Sequence, residues 1–197
     1  VHVSTVGGRE ISITTDQARN LLMAKVLQGL VRYQVSDIVP DFISAPLIAK
    51  ENNIKSYTDN NVPDIGGGGE GSYKNLVSVV ANYEDGSQTK ITGSVFGDTP
   101  HIIHIDSNGE TEQFTFKPEG DFLLMLENHN KPGVLREVLK VLHNYNVNVG
   151  SINVAPYKDQ TEKAFCFAVV DEDIPSKGMN SLENLDTVDR VMKVSLR

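Results

Sequence analysis

Asn128-His129-Asn130-Lys131-Pro132-Gly133-Val134-Leu135 stands between an apolar strand-like run, Phe122 to Leu126, and an apolar-periodic stretch from Pro132 to about Tyr145. Pro is tolerated in the first turn of a helix, because the N–H it lacks would have no intrahelical partner there. Gly133 leaves the backbone uncovered, and the free N–H groups of that turn lie at the positive end of the helix dipole, where a carboxylate is favoured. Asn148 follows in Asn146-Val147-Asn148-Val149. A carboxamide both donates and accepts, so Asn128 and Asn130 can meet the carboxylate or the ammonium of a zwitterion without burying a net charge. The stretch predicts a strand, a small-ligand site and a helix in succession, and it reads as a sensor and not a catalyst.

Working outward from it, Val134, Val138, Val141 and Tyr145 share a helix face with Leu135, Leu139 and Leu142. Two strands follow at Asn148–Pro156 and Lys163–Val170, then a weaker helix near Ser176–Leu185 and a last strand, Val188–Leu196. This β-α-β-β-α-β rhythm predicts a ferredoxin-like sandwich over residues 119–197. Pro118-Glu119-Gly120 is the expected boundary, with a first domain at 1–118. There, the segment from Asn75 to Phe116 alternates apolar and polar residues between explicit turns at Asp85-Gly86 and Asn108-Gly109, which predicts an antiparallel meander. Ahead of it, Val1, Val3, Ile11 and Ile13 read as short strands around Gly7-Gly8. Thr14-Thr15-Asp16-Gln17 reads as a capping box before a helix whose Leu22, Val26, Gly29 and Tyr33 form a stripe beside Leu30. Ser44–Asn52 is a second helix, opened by Pro46. The expected class is α+β: an antiparallel sheet with flanking helices, then the ferredoxin-like domain.

The chain has 197 residues, 39% hydrophobic and 22% charged, which suits two small globular domains. Its formal net charge of -8 opposes attraction to nucleic acid or to an anionic membrane surface, both of which need a basic face. One cysteine, Cys166, excludes an internal disulfide or a multi-cysteine cluster built from this chain alone, and fits a reducing, cytoplasmic setting. No apolar run is long enough to span a bilayer, and the first residues lack a signal-peptide pattern. A start without Met is expected of a cut or processed chain.

Other signals have plain readings. Gly66-Gly67-Gly68-Gly69-Glu70-Gly71 satisfies a dinucleotide fingerprint formally, but a strand-like segment follows where a helix is needed, so a loop is expected. Cys166 lies in an alternating run with Phe165 and Phe167 and is expected in the core. His101 and His104 sit three apart in a predicted strand and should point to opposite faces, so they cannot share a metal, and no metal site is expected. His129 should alternate away from Asn128 and Asn130. Asp171-Glu172-Asp173 is expected to be a solvated turn. No nucleophile–base pair or paired carboxylate suggests catalysis within the chain.

The 119–197 segment resembles the ACT domain, a ligand-binding module of amino-acid biosynthesis enzymes. Ile43-Ser44-Ala45-Pro46 with Ala49-Lys50-Glu51-Asn52-Asn53-Ile54, Gly93-Ser94-Val95-Phe96-Gly97, Ile102 to Asp106 and Pro118-Glu119-Gly120 resemble the intervening, allosteric-substrate-binding domain that precedes ACT in long-form D-3-phosphoglycerate dehydrogenases. The resemblance implies the C-terminal regulatory region of an NAD-dependent enzyme of L-serine biosynthesis, inhibited by L-serine or a related small amino acid. It implies effector contacts at Asn128, Asn130 and Asn148, with amides of Gly133, Val134 and Leu135, across an ACT–ACT interface between two copies. It implies a second anion site as well, for which His101 and Lys117 match. No segment matches a nucleotide-binding domain, so no cofactor is expected in this chain, and NAD is implied only for a catalytic domain outside it. Rival readings are a regulatory part of an L-serine dehydratase and a stand-alone ACT amino-acid sensor.

Overall fold

The computed structural model describes residues 2–6, 16–32, 40–59, 76–107 and 114–196. They fall into two compact units, Val1–Asp98 and Thr99–Arg197.

In the first unit, β1 (His2–Val6), α1 (Asp16–Val31), α2 (Ala45–Glu51), β2 (Tyr57–Asp59), β3 (Leu76–Asn82) and β4 (Gln88–Phe96) follow in order. The sheet order is β2-β1-β3-β4, with β1 and β2 parallel and the other pairs antiparallel. The hairpin between β3 and β4 closes as expected at Asp85-Gly86. Gly86 has φ +85°, and the Asp85 carboxylate accepts the Ser87 N–H at 2.8 Å and the Ser87 hydroxyl at 2.6 Å. Those bonds favour the charged form and hold its carboxyl below the ordinary range. The parallel β1–β2 pair was not foreseen, because a three-residue strand carries too little periodicity to be read. Val77 and Val79 of β3 pack on the helices, whose core is Met23, Leu27, Val31, Ala45 and Ala49.

That core corrects the expected α1 stripe. Leu22, Val26 and Leu30 only flank it, Gly29 is exposed, and Tyr33 lies outside the described residues. The helix carries two adjacent i, i+4 rows of apolar residues, 22/26/30 and 23/27/31. Sequence alone does not say which row the sheet will take. The short strand at Ile11 and Ile13, Thr14-Thr15 of the capping box, the Gly66–Gly71 loop and the Asn108-Gly109 turn are also outside the described residues.

The second unit holds β5 (Thr99–Ser107), β6 (Phe122–His129), α3 (Val134–Asn144), β7 (Val149–Pro156), β8 (Lys163–Val170), α4 (Ser176–Glu183) and β9 (Val188–Ser195). β6 to β9 form an antiparallel sheet in the order β7-β8-β6-β9, the ferredoxin-like arrangement expected. One face packs on α3 and α4 through Leu124, Leu126, Cys166, Ala168, Val138, Leu142 and Leu182. Asn146, at φ +56°, ends α3: its left-handed conformation, which Asn tolerates, lets the Val147 N–H return to the Leu142 carbonyl at 3.0 Å. Val147 thereby enters the core and Asn148 leads into β7.

The other face of the sheet is covered from upstream. Phe116 pairs with Ile102 of β5, and Phe114 and Phe116 stack on Phe167 with ring centroids 5.0 and 5.4 Å away. Tyr157 donates its hydroxyl to the Ser107 carbonyl at 3.3 Å. For that reason β5 belongs to the compact second unit, and the break falls at 98/99, ahead of the one expected at 118. The turn Lys117–Gly120, which holds the expected boundary, lies inside the second unit. Gly120 has φ +100°, and a Cβ there would stand 2.7 Å from Val169 Cγ1.

Candidate functional site

Asn128 is on the helix face of β6, two residues beyond Leu126, and is 3% exposed. Its Nδ2 donates to the His129 carbonyl at 2.8 Å, while its Oδ1 is fully enclosed without a hydrogen-bond partner. An enclosed acceptor left unpaired costs about 1–3 kcal/mol unless something donates to it.

Asn130 is exposed just past the strand. Its N–H donates to the Glu162 carbonyl at 2.6 Å and its Nδ2 to the Thr161 carbonyl at 2.9 Å, so the β7–β8 turn holds it. That turn carries no sequence signal for a site and was missed. Gly133, φ +98°, opens α3 with no side-chain cap, and a Cβ added to it would meet nothing within 4 Å. The glycine is therefore required by its backbone angle, and the space above it is open. Val134 is buried and Leu135 half-buried beneath that opening. The Val134 N–H donates to the Lys131 carbonyl at 3.4 Å, and with no side-chain cap the remaining N–H groups of the first turn are left for an anion. Within a few residues the chain thus offers an enclosed acceptor, a held carboxamide and a bare helix start.

Asn148 is elsewhere. Its N–H donates to Glu172 Oε2 at 3.1 Å and its Nδ2 to Asp171 Oδ2 at 2.6 Å. It adjoins Val149, which pairs with Val170, whereas Asn128 pairs with Ala164 at the other end of β8. Six residues of strand separate those ends, roughly 20 Å at about 3.3 Å each. One copy of the chain does not bring Asn148 to Asn128. The acidic turn is more than solvated: Asp171 and Glu172 fasten Asn148, and Asp173 pairs with Lys193.

The Ile102–Phe116 bridge sets His101 opposite Lys117 on neighbouring segments. His101 Nδ1 lies 3.0 Å from the Thr99 carbonyl, and the Lys117 charge is already met by Glu119. His104 is buried and His101 half-buried. Cys166 is buried in the core, and burial pushes its thiol up to about 12, which leaves it unreactive. Among the described residues no three side chains are grouped to hold a metal ion, and no helix is long and apolar enough to cross a membrane.

The sequence of residues 122–187, running from β6 to the turn before β9, matches the ACT domain family. Over those residues the chain is similar to the ACT domain. The chain is also 22% identical over 156 residues to a D-3-phosphoglycerate dehydrogenase of Methanocaldococcus jannaschii, a match covering 79% of this chain and 27% of that protein. Both findings support the resemblance to the regulatory region of that enzyme. Among solved structures, a homoserine dehydrogenase from Thiobacillus denitrificans is 22% identical, covering 39% of this chain and 17% of that one, with a TM-score of 0.30. A protein of unknown function from Galdieria sulphuraria is 15% identical over 39% of this chain and 45% of that one, with a TM-score of 0.34. Likeness at that level carries no argument about function.

Proposed function

We propose that this chain is the regulatory region of an NAD-dependent D-3-phosphoglycerate dehydrogenase of cytoplasmic L-serine biosynthesis, and that its ACT domain binds L-serine as feedback inhibitor. In this reading the residues ahead of β6 are the intervening domain, with β5 packed on the ACT module that runs from β6 to β9. The observation that carries it is the enclosed, unpartnered Oδ1 of Asn128 beside the open start of α3. An amino acid complements both: its ammonium donates to Asn128 Oδ1, and its carboxylate takes the first-turn N–H groups near Gly133, Val134 and Leu135. Asn130 closes the side of the pocket.

Asn148 completes the site from a second copy, since the length of β8 keeps it from the Asn128 end of its own domain. ACT domains generally bind amino acids and dimerise, which supports this arrangement. Serine held between two copies would bias the assembly by about 1–3 kcal/mol relative to an attached catalytic domain carrying NAD. His101 and Lys117 are proposed as a second site for a phosphate-bearing molecule; their opposed placement supports it and the Lys117–Glu119 pair weakens it.

Isothermal titration of the chain with L-serine, D-serine and glycine tests the reading. Saturable heat with L-serine, and weaker binding of the other two, is expected. Silence with all three at millimolar concentration overturns it.

A further inference from the structure

The turn that enters β9 meets the end of β6 in an unusual register. Glu127 pairs with Arg190, but the next residue, Asn128, pairs with Val188, so Asp189 is an extra residue bulged out of the ladder. Bulges re-aim side chains and gather next to functional sites. This one is tied on three sides. The Thr187 carbonyl accepts the His129 N–H at 2.9 Å, and the Thr187 hydroxyl donates to Glu137 Oε2 in the first turn of α3 at 3.0 Å. Asp189 reaches the other strands: Oδ1 lies 3.5 Å from His129 Nε2 and Oδ2 lies 3.2 Å from Lys163 Nζ on β8.

We propose that Asp189, with Thr187, is a positioning residue for the effector site, holding His129 so that its carbonyl fixes the Asn128 amide with Oδ1 turned into the pocket. The proposal rests on the reading of that pocket as an amino-acid site. The chain of contacts is direct. Asp189 anchors the His129 ring, Thr187 anchors the His129 N–H, and the His129 carbonyl receives Asn128 Nδ2 at 2.8 Å. An amide has two ends, and the bond from Nδ2 decides which one faces the ligand. Asp189 and Lys163 are about one-third exposed, so their attraction is screened only in part, and the His129 ring lies against the same carboxylate. The same bracket also reaches α3 through Glu137, so the strand end and the helix start that frame the pocket share one support. Sequence gives no hint of it, because Asp189 lies some sixty residues from Asn128.

The test uses the full chain and two readouts: hydrogen exchange of the Asn128 side-chain amide by NMR without ligand, and the Kd for L-serine. Asp189→Asn keeps the size and removes the charge; it should speed exchange at Asn128 and weaken serine binding about three- to fivefold, the scale of partly exposed charge contacts. Asp189→Glu, long enough to reach both Lys163 and the His129 ring, should restore both readouts to within about twofold. Lys193→Gln removes a comparable pair, with Asp173, away from the bulge and should leave exchange at Asn128 unchanged. The proposal is overturned if Asp189→Asn leaves exchange at Asn128 as in the parent, or if Lys193→Gln disturbs it equally. If the parent takes up no serine, the effector assignment fails, and amide exchange still decides the bracket.

Discussion

On the helix side of its four-stranded sheet the second unit presents Leu124, Leu126, Cys166 and Ala168 to α3 and α4; on the other side Phe165 and Phe167 meet Phe114, Phe116 and Tyr157. The first face is made within the ACT segment, by elements adjacent in sequence. The second needs residues from ahead of it. β8, buried along seven of its eight residues from Ala164 to Val170, lies between them. A sheet covered on both sides is a core in two layers, and the upstream strand is as much a part of the fold as the helices are.

If the aromatic layer is a true core, Phe167→Ala should destabilise the chain by about 3–5 kcal/mol, as much as Leu142→Ala on the helix side, by urea unfolding. A loss below about 1 kcal/mol would reduce Phe114 and Phe116 to surface decoration and return the boundary to residue 118. Gly120→Ala attacks the same layer from its edge. It combines a left-handed backbone angle with a Cβ pressed on Val169, and should cost about 1–3 kcal/mol. A flexible hinge at Lys117–Gly120 would tolerate that change with no shift in midpoint.

The contrast also explains what could be read in advance. Val134, Val138 and Leu142 recur at helical spacing, and the junction at Asn128–Leu135 has Pro and Gly where a helix must start, so the helix face and its start were legible. Phe165, Cys166 and Phe167 marked β8 as a core strand, but an apolar strand does not name what covers it. Phe114 and Phe116 meet Phe167 across some fifty residues, and such contacts leave no local periodicity. The same holds for α1, where two equivalent apolar rows were available and the sheet chose one. Asn148 was legible as a polar residue and not as one held by Asp171, because a carboxylate turn reads as solvated until its partner is placed.

At the end of β6 the comparison is between Asn128 and the apolar positions preceding it on the same face. Asn128→Leu extends the row of Leu124 and Leu126 and removes an unpaired enclosed acceptor, so stability should change by less than about 1 kcal/mol. Serine binding should fall by about 1–3 kcal/mol, measured by calorimetry. Asn130→Ala should cost binding in the same range while freeing the Thr161 carbonyl to water. Equal binding by either variant removes that side chain from the site.

The smallest effect separates the faces by charge. Glu127 adjoins Asn128 but faces the aromatic side, with Arg190 4.0 Å away, too far for a hydrogen bond. Burial raises its carboxyl above the ordinary range, opposed by the Arg190 and Lys163 charges. A raised carboxyl means that the folded state binds its proton more tightly than the unfolded state does. Its contribution to stability is therefore fullest at low pH and declines as pH rises from the unfolded value through the folded one. Glu127→Gln should leave stability unchanged near pH 4 and increase it by under about 1 kcal/mol near pH 7, in thermal melts at matched salt. A decrease near pH 7 would mean that attraction to Arg190 outweighs the cost of burial, and that the aromatic face keeps Glu127 as a working ion pair.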